Sequence, residues 1–144
     1  GVIEDRSGKT IPDIFKDNGE EYFRDLESQI LEEVAKRGGR IVSTGGGVPI
    51  RSQNRKTMNS TGLVIRLTAT AQTLHKRLAV SAKRRGRSVR PLLGNDAPIQ
   101  KIEKMMIARE KAYSSADITL DTEHKSHQQV AKMIIEAWRN NERA

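Results

Sequence analysis

"RIVSTGGGVP", Arg40 to Pro49, joins a short apolar run to three consecutive glycines. Ile41 and Val42 carry the β-branched side chains that suit a strand. The glycines that follow remove every Cβ from the point where that strand would end. This pattern predicts a strand over Arg40–Thr44 and, after it, a turn where a ligand reaches the main chain. Without Cβ atoms the backbone can be approached closely, and its free N–H groups can bind oxyanions. A tight strand-to-helix turn with no ligand accounts for the glycines equally well, because a glycine run alone is weakly specific.

The segments on either side place this turn in an alternating pattern. Upstream, Ile11–Phe15 reads as a short helix with Pro12 in its first turn. A longer helix follows over about Gly19–Lys36, with Phe23, Leu26, Ile30 and Val34 on one apolar stripe and Gly38-Gly39 after its end. Downstream come a helix over Arg51–Asn59, a strand within Gly62–Leu67 and a helix over Ala71–Val80. Ser81 to Asp96 is basic and aperiodic, and reads as a loop long enough to serve as a lid. A helix over Pro98–Ser114, with Ile99, Ile102, Met106 and Tyr113 on one face, leads to a strand over Asp117–Asp121. Ser126 and Gln129 form a capping box before an amphipathic helix that carries Val130, Met133, Ile134, Ala137 and Trp138. Strands separated by helices predict an α/β sandwich with a parallel sheet, whose ligands bind beyond the carboxyl ends of its strands. The glycines lie at such an end.

Composition narrows the function. The 144 residues suffice for one domain with a core. No apolar run approaches the ~20 residues of a membrane helix. The chain holds no cysteine, which excludes disulfides and thiolate metal sites and fits a reducing, cytoplasmic setting. His75, His124 and His127 form no convincing metal cluster, so no metal ligands are assigned. The net charge of +8 favours anionic partners. One tryptophan, two tyrosines and two phenylalanines give little material for stacking bases.

Three features bear on the glycines. Arg24 and Glu27, three residues apart on one helix, can pair, and Arg24 adjoins the apolar stripe at Phe23. An arginine oriented by a carboxylate suits a substrate carboxylate, although a surface ion pair is the ordinary reading. Lys83–Arg90, "KRRGRSVR", is the densest basic run, and Arg90 is followed by Pro91-Leu92-Leu93. It reads as a lid arginine over phosphates, a solvated loop or a nucleic-acid patch. Arg109 sits in an otherwise apolar-faced helix, where it either joins the same cleft or pairs with Glu103 or Asp117.

Together, "IEDRSGKTIPDIF", "GEEYFRDLE", "STGGGVP", "VRPLLG" and "AREKAYSSADITLDT" resemble the shikimate kinases in order and spacing, over nearly the entire chain. The resemblance implies a P-loop NTPase-like three-layer α/β/α sandwich of the nucleoside-monophosphate-kinase type. It implies ATP and Mg²⁺ as cofactors, shikimate as substrate and a monomer that binds neither nucleic acid nor membrane. It implies that Arg24 and Arg109 hold the shikimate carboxylate, that Glu27 orients Arg24 and that Phe15 and Phe23 wall the ring. It implies that Gly45, Gly46 and Gly47 present N–H groups to the substrate. Arg90 then acts in catalysis from the lid. Lys76, Arg77 and Lys125 are the candidates near the nucleotide. The single domain over 1–144 divides into an acceptor-binding helical region at 10–37 and a lid loop at 81–97.

The sequence departs from the family in one large respect. It contains no G-x-x-x-x-G-K-[ST], and "SGKT" at Ser7–Thr10 lacks the upstream glycine and strand that a phosphate loop needs. The expectation is therefore the C-terminal four-fifths of a kinase, short of a first strand–helix–strand unit of about thirty residues. In the family that unit's first strand lies between the strands matching Arg40–Thr44 and Leu63–Leu67, so its lack leaves a gap in the sheet. The leading reading is transfer of the γ-phosphoryl group of ATP to the 3-hydroxyl of shikimate. The alternatives are a non-catalytic module that binds a shikimate-like metabolite and, further behind, a nucleic-acid binder using Lys83–Arg90.

Overall fold

The computed structural model describes residues 1–85 and 98–143. The described elements, in chain order, are α1 (Val2–Ser7), α2 (Ile11–Ala35), a 3-10 turn (Val48–Ile50), α3 (Ser52–Thr61), β1 (Ile65–Thr68), α4 (Ala71–Arg85), α5 (Ile99–Tyr113), β2 (Ile118–Asp121) and α6 (His127–Arg143). Among the described residues, no helix is long and apolar enough to cross a membrane.

Local chemistry sets the helix ends. Gly8 closes α1 in the left-handed region at φ 68°, where a side chain would be strained. Thr10 then caps α2 by accepting the Asp13 N–H, and Pro12 occupies the first turn. The "SGKT" string is thus a helix–helix junction. Gly19, at φ 86° and ψ 171°, breaks α2 into the two helical stretches that the sequence predicts. The second stretch buries Phe23, Glu27, Ile30 and Leu31 on one face. At the other end of the chain, Ser126 and Gln129 close a reciprocal box at the start of α6, with bonds of 3.2 and 2.8 Å.

β1 and β2 pair in parallel, with Ile65 opposite Ile118 and Thr68 opposite Asp121. The connection between them runs through α4 and α5, as parallel strands require a crossover. Ala71 and Ile102 form a small core between those helices, flanked by Leu74, Leu78, Ile99 and Met105. Polar groups extend the ladder at both ends. Val64 donates its N–H to the Asp117 carboxylate at 2.8 Å, and Thr122 donates its N–H to the Thr68 carbonyl at 2.8 Å.

Two sequence expectations need correction, and one element is unexpected. Arg40–Thr44 forms no regular secondary structure and is not a strand: Ile41 is 99% exposed, and no described strand lies beside the segment to pair with it. A strand exists only by pairing, and β-branched residues alone do not supply a partner. The helix expected to end at Val80 continues to Arg85, so the first residues of the expected lid are helical; the remainder of the lid, with Arg90, lies outside the described residues. The short helix α1 had no apolar stripe to announce it, and it buries no residue.

Candidate functional site

The site grows from α2. Arg24 donates from Nη1 to the Glu27 carboxylate at 2.6 Å, and the two side chains are only 11% and 5% exposed. A pair this deep is not a surface ion pair. Removing one partner would leave a charge stranded in a poorly solvated place. The Arg24 guanidinium also lies 5.4 Å from the Phe23 ring centroid, and its Nη2 reaches Glu20 at the solvent rim at 3.4 Å. Phe23 in turn packs against Phe15 with ring centroids 4.8 Å apart. These residues make one continuous wall of a charged group backed by aromatic surface.

The glycine run faces that wall. A Cβ on Gly47 would overlap the Arg24 guanidinium, and one on Gly45 would stand 3.1 Å from Glu27 Oε1. From the opposite side, a Cβ on Gly46 would meet Arg109 Nη1 and the Tyr113 hydroxyl, each at 2.8 Å. The three glycines are therefore the seam at which α2 and α5 bring their polar groups together. Of the alternatives open to Arg109, its guanidinium lies at this seam, while Asp117 accepts from Val64 N just before β1.

The hydrogen bonds of the seam are asymmetric. Gly45 O accepts from Val48 N, Gly47 O accepts from Ile50 N, both at 3.2 Å, and Gly46 O accepts from the Tyr113 hydroxyl at 2.6 Å. All three carbonyls are thus engaged. Among the described residues, the N–H groups of Gly45, Gly46 and Gly47 find no protein acceptor. Gly45 and Gly46 are exposed and only Gly47 is buried, so water can reach most of these donors and an oxygen-rich anion could take its place.

Side chains that the sequence reading did not single out fix the turn. Asn54, 2% exposed, donates Nδ2 to Val48 O at 2.9 Å. Arg55 donates to the Pro49 and Ile50 carbonyls at 2.7 and 2.8 Å. Arg51 ties the start of α3 to α2 through Asp25 at 2.7 Å and Glu21 at 2.5 Å, and those hydrogen bonds raise its pKa, Asp25's first. Arg66 of β1 grips Glu110 of α5 through two nitrogens and sits 5.6 Å from the Tyr113 ring. This hydrogen-bonded pair raises the Arg66 pKa and lowers that of Glu110. It steadies the stretch of α5 that carries Arg109 and Tyr113.

The proposed nucleotide-side residues are dispersed by comparison. Arg77 donates to Thr122 Oγ1 and to the Thr122 carbonyl, both at 2.8 Å, at the end of β2. Lys125 reaches the Glu123 carbonyl at 3.5 Å, and Lys76 is exposed on α4. Glu123 instead caps α4, accepting from Thr73 Oγ1 and from Thr70 N at 2.9 Å. These bonds, Thr73's first, hold its carboxyl below the usual range. No group of three metal-ligating side chains forms among the described residues.

Comparison with known proteins adds an independent finding. A family model described as shikimate kinase matches residues 1–139. The shikimate kinase of Thioalkalivibrio sulfidiphilus is 39% identical over 96% of this chain and 70% of its own length. That of Geobacter sulfurreducens is 37% identical over 92% of this chain and 70% of its own. Among solved structures, the Acinetobacter baumannii shikimate kinase in complex with shikimate superposes with a TM-score of 0.85 at 30% identity, covering 97% of this chain and 75% of that one. The Bacteroides thetaiotaomicron shikimate kinase gives 0.80 at 30% identity, covering 98% and 80%.

Proposed function

This chain belongs to the shikimate kinase family, and we propose that it serves the transfer of the γ-phosphoryl group of ATP to the 3-hydroxyl of shikimate. The observation that carries the reading is the buried Arg24–Glu27 pair set against three glycines whose N–H groups find no acceptor among the described residues. Arg24 and Arg109 hold the acceptor carboxylate from two sides, with Glu27 keeping the Arg24 fork aimed at the seam. The glycine N–H groups take oxygens of the ring, and Phe15 with Phe23 covers its carbon face. Fixing the acceptor in this way supplies the positioning on which phosphoryl transfer chiefly depends.

On the donor side, Arg90 is proposed to approach the phosphates from the lid, with Lys76, Arg77 and Lys125 near the nucleotide. Mg²⁺ is proposed to arrive with ATP on this donor side. The kinase reading stands above a non-catalytic binding module, because the relatives that match nearly the whole chain are kinases.

The test separates the carboxylate contact from the rest of the site. Calorimetric titration with shikimate and with its methyl ester is expected to show binding of the acid and a loss of about a hundredfold for the ester, the scale of a charge-assisted contact. Arg24→Ala is expected to reduce shikimate binding to the ester's level while leaving ADP binding unchanged. Equal affinities for acid and ester would overturn the assignment of the arginines.

A further inference from the structure

A second concave surface lies on the far side of Arg109. It is a cavity of about 720 Å³ between the 3-10 turn with α3 on one side and α5 on the other. Its apolar lining comes from Ile50, Met105, Ala108 and Ala112, and cations stand around it: Arg55, Lys101, Lys104, Arg109 and Lys111. It shares Arg109 with the acceptor site but includes none of Phe15, Phe23, Arg24, Glu27 or the glycines, so the two surfaces meet only at that side chain.

The charge around this cavity is not internally neutralised. Among the described residues, no carboxylate lines it. At about 100° per residue, Glu103 and Glu110 fall on the face of α5 opposite Lys101, Met105, Ala108 and Ala112. Glu110 is moreover held by Arg66 of β1. Among the described residues, the Arg55 guanidinium meets carbonyl oxygens of the turn and no carboxylate, which leaves its formal charge uncancelled. Like charges gathered on one helix face repel, and an anion between them removes that repulsion. An apolar floor with a cationic rim selects an occupant with the same two parts.

We propose that the cleft between the 3-10 turn and α5 is a second binding site, adjoining the acceptor site at Arg109, for a small molecule that carries a phosphate or carboxylate on an apolar ring. The ring rests on Ile50, Met105 and the two alanines, and the anion meets the lysines of α5 and Arg55. The proposal does not depend on which reaction the protein catalyses.

Phenyl phosphate is the probe, titrated into the ¹⁵N-labelled chain and followed by amide shifts, with phenol and inorganic phosphate as its two halves. Phenyl phosphate is expected to bind about tenfold or more tightly than either half, to shift the amides of Lys101–Ala112 and Ile50, and to weaken as NaCl rises. Lys101→Glu combined with Lys104→Glu, both exposed positions, is expected to weaken it about tenfold or more. Ala108→Leu, which keeps the charge and the helix propensity, is expected to weaken phenyl phosphate by crowding the floor while leaving inorganic phosphate alone. Arg24→Ala is expected to change nothing, which separates this site from the acceptor site. Shifts centred on Gly45–Gly47 and α2, equal binding of phenyl phosphate and inorganic phosphate, or full binding by both the double-glutamate variant and Ala108→Leu would each overturn the proposal.

Discussion

At the scale of single residues, the glycines act through the space they leave. Gly47 has φ −85° and ψ −17°, a conformation open to any L-residue. Alanine there would not strain the backbone. Its Cβ would instead displace the Arg24 guanidinium. Gly47→Ala is therefore expected to cost shikimate affinity, about tenfold to a hundredfold on the scale of an overpacked contact, and to lower the thermal midpoint, because the displaced guanidinium leaves the buried Glu27 carboxylate without its partner. In an Arg24→Ala background the same change should cost nothing more, because the group it displaces is gone. Calorimetry on the four members of that cycle checks both statements, and additive losses would show that Gly47 acts by another route. The spacing of Arg24 and Glu27 shows in the sequence that they can pair, but the residues alone favour a surface ion pair and leave Arg109 open between the cleft and a carboxylate; the family resemblance is what singles out all three. Tyr113 is not singled out: its ring reads as one more apolar position, and only the fold shows its hydroxyl bonded to Gly46.

At the scale of elements, the glycine seam keeps its shape because α3 grips the turn behind it. Val48 O is paired with the amide of Asn54, itself buried. The bond requires a donor, which fixes Nδ2 as the atom facing the carbonyl. Asn54→Ala leaves that carbonyl unpaired, at a cost of about 1–3 kcal/mol. Asn54→Asp is expected to be worse, since it sets a carboxylate against a carbonyl oxygen in a buried place. Urea unfolding of the two variants orders them; an aspartate variant as stable as the wild type would mean that the carbonyl is satisfied from elsewhere. None of this is visible in "SQNRK", where Asn54 reads as one polar residue on a polar helix. Helices announce themselves by periodicity and by caps, which is why α2, α5 and α6 are legible almost to their ends. The Arg40–Thr44 segment fails as a strand for the opposite reason: its own residues suit a sheet, but pairing is supplied by another part of a structure.

At the scale of the whole molecule, charge pairs rather than a large apolar centre join the peripheral elements. Arg6 of α1 holds Glu33 of α2 through two bonds of 2.8 Å, Arg66 of β1 holds Glu110 of α5, and Glu123 after β2 caps α4. The carboxyls of Glu33, Glu110 and Glu123 are all held below the usual range, the first two chiefly by hydrogen bonds from arginine and the third chiefly by Thr73. A carboxyl whose folded pKa is depressed binds fewer protons folded than unfolded. Its contribution is complete above the unfolded value of about 4.3 and is lost as pH falls through the folded one. Stability is therefore expected to be level from pH 7 to about 5 with respect to these groups and to fall below about 4.3. The exposure of the three carboxyls to solvent makes the fall shallow and sensitive to salt. Urea midpoints measured from pH 7 to 3 would trace it. Replacing Glu33, Glu110 and Glu123 with glutamine should lower stability near neutral pH and flatten the acid limb, because the variant has no proton left to take up at those positions. An acid limb of unchanged steepness in that variant would mean that other carboxyls carry the linkage and that the three ties are incidental to how the elements hold together.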